Sequence, residues 1–178
     1  MKAINHDNWL MADAEGRSQI ADARVWRQAF LTIRLDSRVP SDISRLFEVA
    51  RGAMLYSYFF RPLLSNGVEQ CYRALESGAR ARCTQMGLQV YCQDSQGKPH
   101  PLSFGHNLNG LVKLGLIEAA DLILWQQARE LRDWVATPEH QAALTLNHGV
   151  TALSRAATLL GKLFQAVTAG CNLIQHAD

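Results

Sequence analysis

The residues best equipped for chemistry sit about three-quarters of the way along the chain: Arg129, Arg132, Asp133 and His140. A guanidinium holds a phosphate through two parallel N–H bonds, and an imidazole takes or gives a proton near neutral pH. Together they suit metal-free cleavage of an RNA phosphodiester, the histidine moving the proton while the arginine stabilises developing charge. Arg129 and Arg132 fall in the closing turns of one predicted helix, with Asp133 next, and His140 is the third residue of the following helix across a short connection. In an antiparallel helical hairpin the end of one helix lies beside the start of the next, so Arg132, Asp133 and His140 are expected around one small, solvent-open space. The second helix's N-terminus would keep the imidazole neutral and attract an anion. A purely structural reading also stands: arginines near a helix C-terminus complement the dipole, Asp133 pairs with them, and a first-turn histidine is solvated.

Other chemistries find no support. The sequence has no glycine-rich phosphate loop, Gly-x-Ser-x-Gly, His-Glu-x-x-His or paired Glu-x-x-His. Cys71, Cys83, Cys92 and Cys171 are scattered without Cys-x-x-Cys or zinc-ligand spacing, and read as reduced, partly buried thiols. His6 and His176 lie near the ends, and His100 and His106 flank a loop, so each reads as a solvated histidine. His148 follows His140 by eight residues, which is about 80° round a helix and too far for a metal pair. No metal or cofactor is expected.

The elements that must position these residues read as all-α. Periodicity predicts a first helix from Ser18 to Arg34, after a polar arm (residues 1–17) carrying Trp9, with Ala23, Trp26, Phe30 and Ile33 on one face. Ser41 is the predicted N-cap of a second helix burying Ile43, Leu46, Phe47, Ala50, Met54 and Tyr58. Pro62 predicts a kink or a break. Asn66 and Glu69 have capping-box spacing, so a third helix is placed from Gly67 to Met86. Gly87 stops it, residues 92–101 form a polar loop, and the Leu88/Val90 alternation is too short for a strand. A short helix from Ser103 to Leu114 ends at Gly115, and another runs from Glu118 to Val135. The last helix starts with Thr137 as N-cap and Pro138 inside it, then carries an a/d seam of Leu146, Val150, Leu153, Ala157, Leu160, Phe164 and Val167. Such a seam serves a bundle core more often than a dimer interface.

These elements form one domain over residues 18–168, followed by a tail over 169–178. The 178 residues, 48% apolar and 19% charged, can bury a core and argue against disorder. A net charge of +2 argues against broad polyanion binding, so any phosphate must be met locally. Without a long apolar run or a signal-like N-terminus, the chain reads as cytoplasmic with no membrane partner.

Three stretches in order carry a resemblance: Glu69 to Arg82; Leu102-Ser103-Phe104-Gly105-His106-Asn107-Leu108 with Leu114-Gly115-Leu116-Ile117; and Ala128-Arg129-Glu130-Leu131-Arg132-Asp133 with His140. Over about Ser41 to Phe164 the chain resembles the HEPN superfamily, the Arg-polar…His element being the diagnostic part. The resemblance implies an up-and-down bundle of five to six helices, commonly a homodimer in which paired elements build one cleft. Active members are metal-independent endoribonucleases of toxin–antitoxin, defence and RNA-processing systems, and inactive relatives are binding or dimerisation modules. Carried over, Arg132 binds phosphate with Arg129 as a further RNA contact, Asp133 is the polar residue, His140 is catalytic, and Glu76 orients the arginine. RNA, a second copy and an antitoxin or other protein are the implied partners.

Seven residues separate Arg132 from His140, an interval longer than the family's usual one, with Pro138 inside it. Two functions follow: an endoribonuclease leaving 2′,3′-cyclic phosphate ends, or a catalytically inactive module. A third, a small-molecule pocket lined by Tyr56, Tyr58, Phe59, Phe60 and Tyr72, competes with their reading as core.

Overall fold

The computed structural model describes residues 5–8, 11 and 22–165. Most of the predicted arm with Trp9, the first turn of the predicted first helix, Val167, Cys171, His176 and the predicted tail lie outside the described residues. The described chain is a helical bundle of seven helices with one small hairpin: α1 (Ala23–Leu31), α2 (Ser41–Tyr56), α3 (Leu63–Gln85), β1 (Tyr91–Gln93), β2 (Pro99–Pro101), α4 (Phe104–Lys113), α5 (Ala119–Val135), α6 (Pro138–Gln141) and α7 (Leu146–Gln165).

The long helix α3 is the hub and packs against α2, α4, α5 and α7. It begins at Leu63, before the predicted Gly67, because Pro62 supplies the start: its φ of −57° suits a first turn, and it lacks the N–H that a helix start leaves unpaired. Asn66 is therefore an exposed interior residue and not a cap. The turn over residues 57–62 separates α2 from α3, so Pro62 marks a break and not a kink. Ser41 is the first residue of α2 and makes no side-chain cap bond; Pro40 holds the cap position. Helix α1 ends at Leu31, short of Arg34, where the Thr32 hydroxyl bonds back to the Gln28 and Ala29 carbonyls. Its buried Trp26 donates an indole N–H to the Met54 carbonyl at 3.1 Å, pinning α1 to the end of α2. The predicted stops at Gly87 and Gly115 hold: both have positive φ, and the amides of Leu88 and Leu116 bond back to the Cys83 and Leu111 carbonyls.

Two elements depart from the all-α parse. The predicted loop over residues 92–101 contains an antiparallel hairpin in which Tyr91, Cys92 and Gln93 face Pro101, His100 and Pro99. Its strands are too short to show alternation, and its signal lay in the turn. Asp94 Oδ1 accepts from the Gln96 and Lys98 amides, and Gly97 adopts a φ of 76°, the left-handed position a three-residue hairpin loop needs. The predicted last helix is two, α6 being a single turn. Buried Leu144 turns inward between them, and Thr145 caps α7 by a reciprocal pair of bonds with His148.

The a/d seam closes on the chain's own core: Leu146, Leu153, Ala157, Leu160 and Phe164 are buried and Val150 is half-buried. Gly149, Ala152, Ala156, Leu159 and Leu163 are buried as well, so α7 is enclosed on more than one face. Lys162 on α7 holds Asp121 in the first turn of α5 at 2.8 Å, and Gln165 reaches Asp36 at 2.9 Å. No helix among the described residues is long and apolar enough to cross a membrane.

Candidate functional site at the end of the fifth helix

Arg129, Arg132 and Asp133 fall on neighbouring positions of α5, as residues three and four apart on a helix do. Asp133 accepts from Arg132 Nη1 at 2.8 Å and lies 3.7 Å from Arg129 Nε. The neighbouring helix α3 presents Tyr72, and the Arg132 guanidinium lies over its ring, 5.4 Å from the centroid. The hydrogen bond that Arg132 donates to Asp133 pushes the Arg132 pKa up, so its charge is secure. Burial raises the Tyr72 pKa and the Glu76 carboxylate adds to this, while Arg129 and Arg132 pull it down. Glu69 acts on Arg132 through space. One surface therefore gathers Tyr72, Glu69 and Glu76 from α3 with Arg129, Arg132 and Asp133 from α5. Glu76 itself pairs with Arg80, one turn along α3 at 3.5 Å, so the carboxylate that orients Arg132 is Asp133. The void beneath Tyr72, between Val68, Leu75, Ala128 and Leu131, is barely large enough for one water.

His140 belongs to a different flank. Its Nδ1 is 3.0 Å from the Trp134 carbonyl oxygen, and its ring lies flat on the Trp134 indole at 4.7 Å with an interplanar angle of 5°. A carbonyl only accepts, so Nδ1 carries a proton, and in the neutral ring Nε2 has the free lone pair. Trp134 follows Arg132 by two residues, about 200° around the helix axis. Arg132 leans over Tyr72 on α3 while His140 stacks on Trp134, and none of their partners is shared. The expected help from a helix N-terminus does not materialise: α6 is one turn of four residues, and the Trp134 carbonyl and indole hold the imidazole instead. Thr137 occupies the cap position of that turn without a side-chain bond.

His148 completes the second flank. Its ring lies 6.0 Å from Trp134, and its Nδ1 accepts from the Thr145 amide at 3.0 Å, where a capping box would carry Glu or Gln. The spacing Thr145-x-x-His148 was the available signal for this cap, with histidine as an unusual acceptor. Trp134 could have been noted as the one aromatic between Arg132 and His140.

The remaining histidines are more varied than solvated residues near ends and loops. His6 is exposed beside Asp7 and His106 is exposed in α4, but His100 Nε2 lies 2.9 Å from Asp94 Oδ2. Cys71 and Cys83 are buried and Cys92 is exposed; burial pushes the Cys71 thiol up to about 12 and raises that of Cys83. Among the described residues no group of three or more His, Cys, Asp or Glu side chains is placed to hold a metal ion. Of the aromatics considered as a pocket lining, Tyr58 packs edge-on against Phe59 and beside Trp26, Tyr72 packs against Phe104, and Tyr56 points to solvent. No protein-family model, curated protein or solved structure matches the chain.

Proposed function

We propose that this chain is a HEPN-like helical interaction module that self-associates and does not cleave RNA by itself. The observation that carries this reading is that the two groups cleavage needs are engaged by different partners. Arg132 is engaged by Asp133 and Tyr72, and His140 by Trp134 on another flank of α5. The absence of a shared partner argues against one phosphate being clamped by the first and served by the second within a single chain. The sequence interval agrees, because the positions where the family's shorter spacing would put a histidine hold Thr137, Pro138 and Glu139. The surface of Glu69, Tyr72 and Glu76 with Arg129, Arg132 and Asp133 alternates in charge around an aromatic. That pattern can complement itself across a two-fold axis.

Sedimentation of the purified chain tests the association. A dimer is expected that Arg129→Glu with Arg132→Glu converts to monomer without loss of helical circular dichroism. A monomer in the unmodified chain, or a dimer indifferent to the double charge reversal, would contradict the assignment.

One observation favours a second reading. The Nδ1–H···O=C bond of His140 fixes a tautomer with Nε2 free, which a general base requires. In that reading two chains supply Arg132 and His140 to a composite, metal-independent endoribonuclease site, with the adjacent 2′-OH as nucleophile.

A further inference from the structure

The hairpin places three chemically active side chains on one face, away from the site above. Cys92 is directly opposite His100 in the register. The ladder bonds from Leu102 N–H to the Val90 carbonyl and from Asp94 N–H to the Lys98 carbonyl set the alternation, which makes Cys92 and His100 a hydrogen-bonded pair. Pro99 and Pro101, which have no N–H to give, occupy the unbonded positions between. Directly opposed residues share a face with Cβ atoms about 5 Å apart, so rotation about one side-chain bond brings the Cys92 sulfur to the imidazole. Asp94, two residues beyond Cys92, lies on the same face and takes His100 Nε2 at 2.9 Å with Oδ2. Its Oδ1 is held by the Gln96 and Lys98 amides, so the carboxylate that orients the ring is itself fixed by the turn.

The hydrogen bond from His100, followed by those from the two amides, holds the Asp94 carboxyl below its usual range. Asp94 is then acceptor only, the shared proton belongs to Nε2, and Nδ1 of the neutral ring is the free base. His100 and Asp94 are 50% and 30% exposed and Cys92 is exposed, so a reagent can reach all three. The other titratable groups of the hairpin are Tyr91 and Lys98.

The geometry points to Cys92, His100 and Asp94 as a thiol-exchange site at which Cys92 takes up a small disulfide of the glutathione class. The Cys92 proton passes to His100 Nδ1, and the thiolate attacks one sulfur of the disulfide. The new Sγ–S bond forms as the S–S bond breaks, and the departing thiolate takes the proton back from His100. The protein thiol and disulfide thus become a mixed disulfide and a free thiol, with no further oxidant.

The test uses the full chain carrying Cys171→Ser, which leaves Cys92 as the exposed thiol beside buried Cys71 and Cys83. Its reaction with 5,5′-dithiobis(2-nitrobenzoic acid) and with oxidised glutathione is followed from pH 5.5 to 9, with Cys92→Ser as the blank. A free cysteine is only a few per cent thiolate at pH 7, and full ionisation is partly offset by lower nucleophilicity, so His100→Ala should slow the reaction about fivefold at pH 7. Asp94→Asn, which keeps the turn's acceptor oxygen but removes the charge, should slow it less, and both variants should move the pH midpoint upward. In denaturant all three chains should react alike. Equal rates and midpoints for the folded parent, His100→Ala and Asp94→Asn would overturn the proposal.

Discussion

At the residue scale, part of the chemistry read from the sequence stays together, and two of its side chains, Glu76 and His140, take other partners. Arg129, Arg132 and Asp133 do form one cluster, because their spacing along a single helix is a local property. His140 parts from them because its position depends on the path of the connection, which pattern alone does not specify. The sequence offered Thr137 and Pro138 as a strong helix start, but one turn later buried Leu144 claims the chain and Thr145 starts a new helix. His148 belongs to that second start. As the acceptor for the Thr145 amide it should be missed: His148→Ala is expected to destabilise the fold by about 1 kcal/mol in urea titration, with His148→Gln closer to the parent. Equal stability of the parent and His148→Ala would show that the bond contributes nothing.

At the element scale, the helices with long apolar periodicity were legible and their ends were less so. The stops at Gly87 and Gly115 and the start at Ser103, whose hydroxyl accepts from the His106 amide, follow from local chemistry. The start of α3 was misplaced because Asn66 and Glu69 imitate a cap while Pro62 already supplies one. The hairpin was missed because three-residue strands with alternate prolines leave no periodic trace. Gly67 then has another reason for its identity. A Cβ there would lie 2.4 Å from Met54 Cγ and 3.1 Å from the Ala50 carbonyl oxygen, so α2 and α3 approach over a missing side chain. Alanine is the better helix former by roughly 1 kcal/mol, yet Met54 is fully buried and the carbonyl cannot move aside. Gly67→Ala should therefore lose about 1–2 kcal/mol in equilibrium unfolding, and a gain would mean that the helices can part at no cost.

At the scale of the whole molecule, the composition allowed one helical core and a local, not broad, phosphate site. The bundle agrees with the first, with α3 as its hub and the α7 seam turned into the core. The proposed association surface lies elsewhere, on the charged side chains of α3 and α5. In the proposed module Arg132 and His140 belong to two unrelated devices, a salt-linked surface and a stacked connection. The most direct test incubates the purified chain with single-stranded RNA in excess chelator and looks for 2′,3′-cyclic phosphate ends, beside Arg132→Ala and His140→Ala. The expected result is no cleavage above that of either variant. Cleavage by the parent that both substitutions abolish would contradict the account and establish the composite nuclease in its place.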